Sequence, residues 1–118
     1  MIPHHQEHLV NFKALTNFSG NNPDFEKQLL EALVLDLTGF KSLVFEKPDQ
    51  HQYDQFRKGF HNIFPSLKML EIQDLIFVIQ EYKKAYDENE ETVAVYASKI
   101  LELLDHVLLV ISDYSNQE

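Results

Sequence analysis

The stretch YDQFRKGFHNIFPSLKML (53–70) decides the fold, because its apolar side chains recur at the spacing of an α-helix. Its apolar positions follow one another at steps of three or four residues: Tyr53, Phe56, Phe60, Ile63, Leu67 and Leu70. At about 100° per residue, this spacing puts all of them on one stripe. The stretch therefore predicts an amphipathic helix that buries this stripe in a core.

His61 lies on the opposite side of this predicted helix, roughly 130° from the centre of the apolar stripe. The same geometry puts Arg57, Lys58 and Lys68 on either side of the histidine. An exposed imidazole is a nucleophile, and cations beside it can bind an anionic group. The alternative is an ordinary solvated helix face that carries a surface histidine. These four residues are the strongest candidate site in the chain.

Pro65 lies inside the same predicted helix. Proline has no backbone N–H, so the carbonyl four residues earlier loses its helical hydrogen bond, and the proline ring crowds it. That carbonyl belongs to His61, which puts local strain at the candidate nucleophile. The alternative is that the helix simply bends at this point.

The remaining sequence predicts four further helices separated by short breaks. Together with the segment around His61, the predicted helices cover 7–17, 23–45, 50–68, 72–86 and 92–114. Gly20 can end the first helix, while Asn22 can cap the second with Pro23 at its first position. The second helix is predicted to bury a stripe of Phe25, Leu29, Leu33, Leu37, Phe40 and Val44.

Short connections between long amphipathic helices predict antiparallel neighbours. We therefore expect an all-α fold, an up-down-up-down antiparallel four-helix bundle with the short N-terminal helix as a lid. With 118 residues, the chain is expected to form one domain over 1–118, in which 1–6 is a flexible polar arm.

Composition and charge exclude several classes of function. The net charge of −9 argues against nucleic acid or an anionic membrane surface as a partner. The absence of cysteine excludes disulfides and thiolate chemistry. No apolar stretch approaches the ~20 residues that span a bilayer, and the N-terminus does not resemble a secretory signal. We expect a soluble, cytoplasmic protein.

A second cluster of histidines lies at the N-terminus, where His4 and His8 have the i, i+4 spacing of a metal-binding pair on a helix, with His5 between them. No further ligand is placed by spacing, so a frayed N-terminus is the favoured interpretation and no metal site is predicted. The sequence has no glycine-rich phosphate loop and no catalytic metal motif. We therefore expect neither an enzyme nor a cofactor.

The segment FHNIFPSLKMLEIQDL (60–75) resembles the signature of histidine-containing phosphotransfer (HPt) domains, approximately A-H-x-L-K-G-x-x-x-x-L-G-x-x-x-L. His61 falls on the phosphorylated histidine, Ile63 on the following apolar position, and Leu70 and Leu75 on the later leucines. Upstream, LTNFSGNNPDFEKQLLEALVLDL (15–37) resembles the short helix, turn and long helix with which such domains begin. The resemblance covers nearly the whole chain.

HPt domains are four-helix bundles that carry a phosphoryl group on one exposed histidine and have no kinase activity. The resemblance implies that His61 is the phosphoacceptor and that Arg57, Lys58 and Lys68 support the phosphoryl group. The implied partners are response-regulator receiver domains, a hybrid sensor kinase, or both.

Four positions depart from the HPt pattern, among them Phe60 in place of the small residue before the histidine and Glu71 in place of the later glycine. Phe64 stands where the family has lysine, and Pro65 stands where it has glycine. Both residues are expected to contact a docked receiver domain. The alternative function is a degenerate bundle that binds receiver domains or another signalling partner without being phosphorylated.

Overall fold

The computed structural model describes residues 9–116, and this part of the chain contains five α-helices and no strand. In chain order they are α1 (Phe12–Ser19), α2 (Pro23–Lys41), α3 (Gln50–Met69), α4 (Gln73–Asp87) and α5 (Val93–Asn116). The last helix, α5, packs against α4 and α2, and α2 also contacts α1 and α3. α3 contacts α4 as well, so the fold is an all-helical bundle.

The turn between α1 and α2 follows the prediction closely. Gly20 ends α1 with a left-handed φ of 67°, a conformation that glycine adopts at little cost. The side chain of Asn22 accepts hydrogen bonds from the backbone N–H groups of Asp24 and Phe25, at 3.1 Å each. Pro23 occupies the first turn of α2, where its missing N–H has no consequence.

Two helix ends differ from the prediction by four residues or more. α1 begins at Phe12, because Asn11 caps it by accepting from the N–H groups of Lys13 and Ala14. α2 ends at Lys41, four residues earlier than predicted. There the Ser42 hydroxyl donates to the Gly39 carbonyl at 2.7 Å, which competes with continued helix.

All six apolar residues of the predicted α3 stripe are buried. Asp49 and Gln52 form a capping box at the start of this helix. α3 continues past Pro65 and ends at Met69, and Glu71 in the following turn has a φ of +54°. Glu71 also accepts a hydrogen bond from the Asn11 side chain at 3.1 Å, which ties the start of α1 to the turn between α3 and α4.

Gly59 allows α2 and α3 to approach closely. A Cβ atom built on this glycine would lie 2.5 Å from the Leu43 side chain and 3.2 Å from the Phe40 ring. The Phe40 and Phe56 rings pack beside it with centroids 5.1 Å apart. This contact holds the inner side of α3 firmly, while its outer side carries His61.

The predicted burial of Phe25 is wrong. Its side chain is 41% exposed and stacks on Phe18, with ring centroids 6.3 Å apart. The next residue, Glu26, is buried instead, at 6% exposure. Its carboxylate accepts hydrogen bonds from the hydroxyls of Thr16 at 3.0 Å and Tyr114 at 2.9 Å, which offset the cost of burying a charge.

Between residues 9 and 116, no helix combines the length and the apolar character needed to cross a membrane.

Candidate functional site

An open groove of about 840 Å³ runs between α3 and α4, and His61 lies on its α3 side. We call it the His61 groove. The lining residues are Asp54, Arg57, Lys58, Phe60, His61, Asn62 and Phe64 from α3, and Gln80 and Lys83 from α4. Three of these side chains are cations and one is a carboxylate. The groove is thus locally positive in a chain of net charge −9.

His61 is exposed near the middle of α3, which confirms the exposure that the apolar stripe predicts. Its neighbours Phe60 and Ile63 are buried at 6% and 4% exposure, so the backbone beneath the imidazole is anchored in the core. Among residues 9–116, no side chain forms a hydrogen bond or an ion pair with the imidazole. The ring nitrogens are therefore available to an external group.

Pro65 and Phe64 follow His61 by about one turn. Pro65 is exposed, and its missing N–H removes the usual helical hydrogen bond to the His61 carbonyl. Phe64 is half-buried and meets Phe60 edge-on, with ring centroids 5.3 Å apart and planes at 66°. Phe64 lines the His61 groove, whereas Pro65 does not.

Arg57 lines the groove, but its charged group is directed toward the preceding turn. One guanidinium nitrogen lies 3.9 Å from the Asp54 carboxylate, and the group lies 5.9 Å from the centre of the Tyr53 ring. Helical side chains lean toward the N-terminus, so a residue that precedes His61 leans away from it. The ion pair is solvent-exposed on both sides and contributes little to stability.

Lys58 also lines the groove and is exposed. Lys68 lies outside the lining, and its ammonium is 5.7 Å from the centre of the Phe64 ring. The structure therefore brings Arg57 and Lys58 into the same groove as His61. The ammonium of Lys68 instead lies over the ring of Phe64.

Lys83 is a groove residue that the sequence analysis missed. It is half-buried on α4, and its ammonium lies 5.4 Å from the centre of the Phe60 ring. Its neighbour Tyr82 is fully buried, so Lys83 falls at the edge of the α4 apolar stripe. The stripe pattern could have identified such an edge position. It could not show which edge of α4 faces α3.

The register between α3 and α4 depends on Tyr53. Its hydroxyl lies 3.3 Å from the Lys83 carbonyl and 3.3 Å from the Asp87 carboxylate, and both oxygens can accept its proton. Burial, followed by the charge of Asp87, raises the pKa of Tyr53 to about 12. The hydroxyl can donate to either oxygen, which ties the start of α3 to the part of α4 that carries Lys83.

Aromatic packing between α3 and α4 supports the same register. The Tyr53 and Tyr86 rings stack with centroids 3.7 Å apart, and Phe56 packs against Tyr82 at 4.6 Å. The Tyr82 hydroxyl donates to the Phe45 carbonyl at 2.7 Å, and burial raises the pKa of Tyr82 to about 12. These contacts join α3 to α4 through a layer of packed rings.

The N-terminal histidines His4, His5 and His8 lie outside the described residues. Within 9–116, no group of three or more histidine, aspartate or glutamate side chains is arranged to hold a metal ion.

Comparisons with protein-family models, with curated proteins and with solved structures found no match for this chain. Any assignment of function therefore depends on the HPt-like sequence pattern and on the chemistry of the His61 groove. Chemically, the groove presents an accessible nucleophile and positive charge from two helices. This arrangement can accept a compact anionic group.

Proposed function

We propose that this protein is a phosphorelay intermediate that accepts a phosphoryl group on His61 and passes it on. The observation that carries the proposal is the accessible imidazole of His61 in a groove that also contains Arg57, Lys58 and Lys83. The partners would be response-regulator receiver domains, a hybrid sensor kinase, or both. A relay of this kind operates in the cytoplasm, so the proposal includes a cytoplasmic location.

The proposal also includes an up-down-up-down antiparallel arrangement of α2 to α5. Two contacts support it, because each joins the beginning of one helix to the end of another. Tyr114, near the end of α5, donates to Glu26, near the start of α2. Tyr53, near the start of α3, has its hydroxyl beside Lys83 and Asp87, near the end of α4.

The proposed transfer requires no acid or base from this chain. A nitrogen of the neutral His61 imidazole attacks the phosphorus of an aspartyl phosphate on the receiver domain. The bond between phosphorus and the carboxylate oxygen breaks, and the aspartate leaves as a carboxylate. The imidazole keeps its proton on the other nitrogen and becomes a phosphorylated imidazolium. Nearby cations would stabilise the phosphoryl oxygens during this step.

The second candidate is a bundle that binds receiver domains without accepting phosphate. The presence of Phe64 at the family's lysine position favours it, because phenylalanine cannot neutralise a phosphoryl group. The contact of Lys68 with Phe64 also favours it, since it keeps that ammonium outside the groove.

Incubation with phosphorylated receiver domains of the same organism tests the proposal. We expect wild-type protein to acquire acid-labile, base-stable phosphate and His61→Gln to acquire none. His106→Gln is the matched control, because His106 is exposed on α5 and lies outside the groove. Labelling of His61→Gln at the wild-type level would contradict the proposal. Receiver binding by wild-type protein without any labelling would favour the second candidate.

A further inference from the structure

We propose that Lys83, on α4, supplies the positive charge that Phe64 cannot, by pairing with the oxygens of the phosphoryl group on His61. The inference rests on the proposed function and assigns a role to a residue that lies 22 positions beyond the histidine, on the opposite side of the groove. The site would then be built across two helices, with the nucleophile on α3 and the principal cation on α4.

The position of Lys83 supports this role. Its ammonium lies 5.4 Å from the centre of the Phe60 ring, and Phe60 directly precedes His61. Both Lys83 and His61 line the same groove. The ammonium therefore lies beside the turn of α3 that carries the phosphoacceptor.

Within residues 9–116, no carboxylate forms an ion pair with Lys83. The ion pairs formed within residues 9–116 are Lys41 with Asp105 and Arg57 with Asp54. Lys83 instead contacts an aromatic ring, which interacts with a cation but leaves its charge intact. A phosphoryl group could take over this ammonium through stronger, charge-assisted hydrogen bonds.

The cations on α3 are less well oriented for this task. Arg57 and Lys58 precede His61, so their side chains lean away from it, and Arg57 already interacts with Asp54. Lys68 follows His61 and leans toward it, but its ammonium lies over Phe64 and outside the groove. Lys83 approaches from the other helix and is not subject to the lean of α3.

The rest of the structure holds Lys83 in place. Tyr82, its neighbour, is fully buried, and the Lys83 carbonyl lies 3.3 Å from the Tyr53 hydroxyl, within hydrogen-bonding distance. The backbone of Lys83 is thus fixed relative to α3, while its four-carbon side chain remains free to exchange an aromatic contact for a phosphoryl contact.

Phosphoramidate provides a test that needs no receiver domain. An imidazole nitrogen attacks its phosphorus, the P–N bond breaks, and ammonia leaves, so uptake depends on His61 and its surroundings alone. Phosphorylation of full-length protein would be followed by ³¹P NMR, with His61→Gln to identify signal from His61.

Lys83→Met would be compared with Lys84→Met, which removes the same charge from an adjacent exposed residue outside the groove. Methionine keeps an apolar side chain over Phe60. We expect Lys83→Met to slow uptake about fivefold, the scale of one partly exposed charge contact, and Lys84→Met to leave the rate within about a factor of two. Lys83→Arg keeps the positive charge and should retain most of the wild-type rate of uptake. A purely structural role would not depend on that charge.

Equal rates for Lys83→Met and Lys84→Met, with normal labelling of His61 in wild-type protein, would overturn the inference and leave the proposed function intact. A wild-type protein that takes up no phosphate on His61 would overturn both. Slow phosphoryl uptake by both Lys83→Met and Lys83→Arg would also overturn the inference.

Discussion

Two clusters of polar side chains in this bundle differ in whether their charged groups are buried and have hydrogen-bond partners. Glu26 is almost completely buried, and hydroxyl donors from α1 and α5 each bind one of its carboxylate oxygens. We call Glu26, Thr16 and Tyr114 the Glu26 clasp. In the His61 groove, by contrast, the imidazole and Lys83 are accessible and have no carboxylate partner among residues 9–116.

The difference separates polar groups that hold the fold from polar groups that are available to a ligand. A buried carboxylate without hydrogen bonds is costly, so the donors in the clasp are needed for folding. Exposed cations in the groove cost little when unpaired, because water solvates them. Substitutions in the clasp should therefore change stability, and substitutions in the groove should change chemistry.

The largest expected effect is loss of phosphoryl uptake in His61→Gln. We expect uptake to fall below detection while the free energy of unfolding changes by no more than about 0.5 kcal/mol, as for other exposed substitutions. Urea denaturation of the same preparation used for labelling would measure this. A large loss of stability would show that His61 is structural, and the comparison between the two regions would fail.

The opposite result is expected for Tyr114→Phe. This change removes the hydroxyl that donates to Glu26 but keeps the ring that stacks on Phe12 at a centroid distance of 3.9 Å. One buried carboxylate oxygen would lose its donor, at a cost of about 1–3 kcal/mol in the free energy of unfolding. Phosphoryl uptake at temperatures well below unfolding should be unchanged.

Tyr96→Phe is the matched control, because the Tyr96 hydroxyl forms no hydrogen bond within residues 9–116. It should stay within about 0.5 kcal/mol of wild type in urea denaturation. Equal stabilities for the two phenylalanine variants would mean that the clasp does not hold α1, α2 and α5 together.

High pH should weaken the aromatic packing that joins α3 to α4. The folded-state pKa values of Tyr53 and Tyr82 are raised from 10.0 to about 12, so folding favours their protonated forms. Their contribution to stability is complete below pH 10 and is lost as the pH rises through about 12. Denaturation at several pH values should show stability falling across this window.

Tyr53→Phe should make stability fall less steeply with pH, because one of the two hydroxyls with a raised pKa is then missing. The remaining slope would come from Tyr82. A slope that is unchanged in Tyr53→Phe would show that the Tyr53 hydroxyl is already solvated in the folded protein.

The smallest expected effect concerns Phe64. Phe64→Lys introduces the cation that HPt domains carry one turn from their histidine, and we expect phosphoryl uptake to rise by up to about fivefold. Phe77→Lys is the control, since Phe77 is 64% exposed on α4 and does not line the groove. Similar rates for both variants would show that charge at Phe64 is unimportant. If only Phe64→Lys takes up phosphate, the wild-type chain is the receiver-binding bundle without transfer.

The sequence predicted the α3 stripe and the α1–α2 turn well, because both depend on local spacing and capping. It failed at Phe25 and Glu26. The apolar spacing predicted that the Phe25 ring would be buried, whereas the structure exposes this ring and buries the Glu26 carboxylate. The carboxylate is buried because Tyr114, 88 residues away, supplies a donor. Lys83 was missed for a related reason. Which edge of α4 faces α3 is set by packing, including the contacts of Tyr53, and a single helix pattern contains no information about its neighbour.

The sequence separation of these contacts has a consequence for the order of folding. The Tyr53 hydroxyl and the Lys83 carbonyl are 30 residues apart, whereas Glu26 and Tyr114 are 88 residues apart. Closing a longer loop costs more chain entropy, so α3 and α4 can pair before the two ends of the domain meet. The hairpin that carries His61 would then form early, and the Glu26 clasp would close late and act mainly by slowing unfolding.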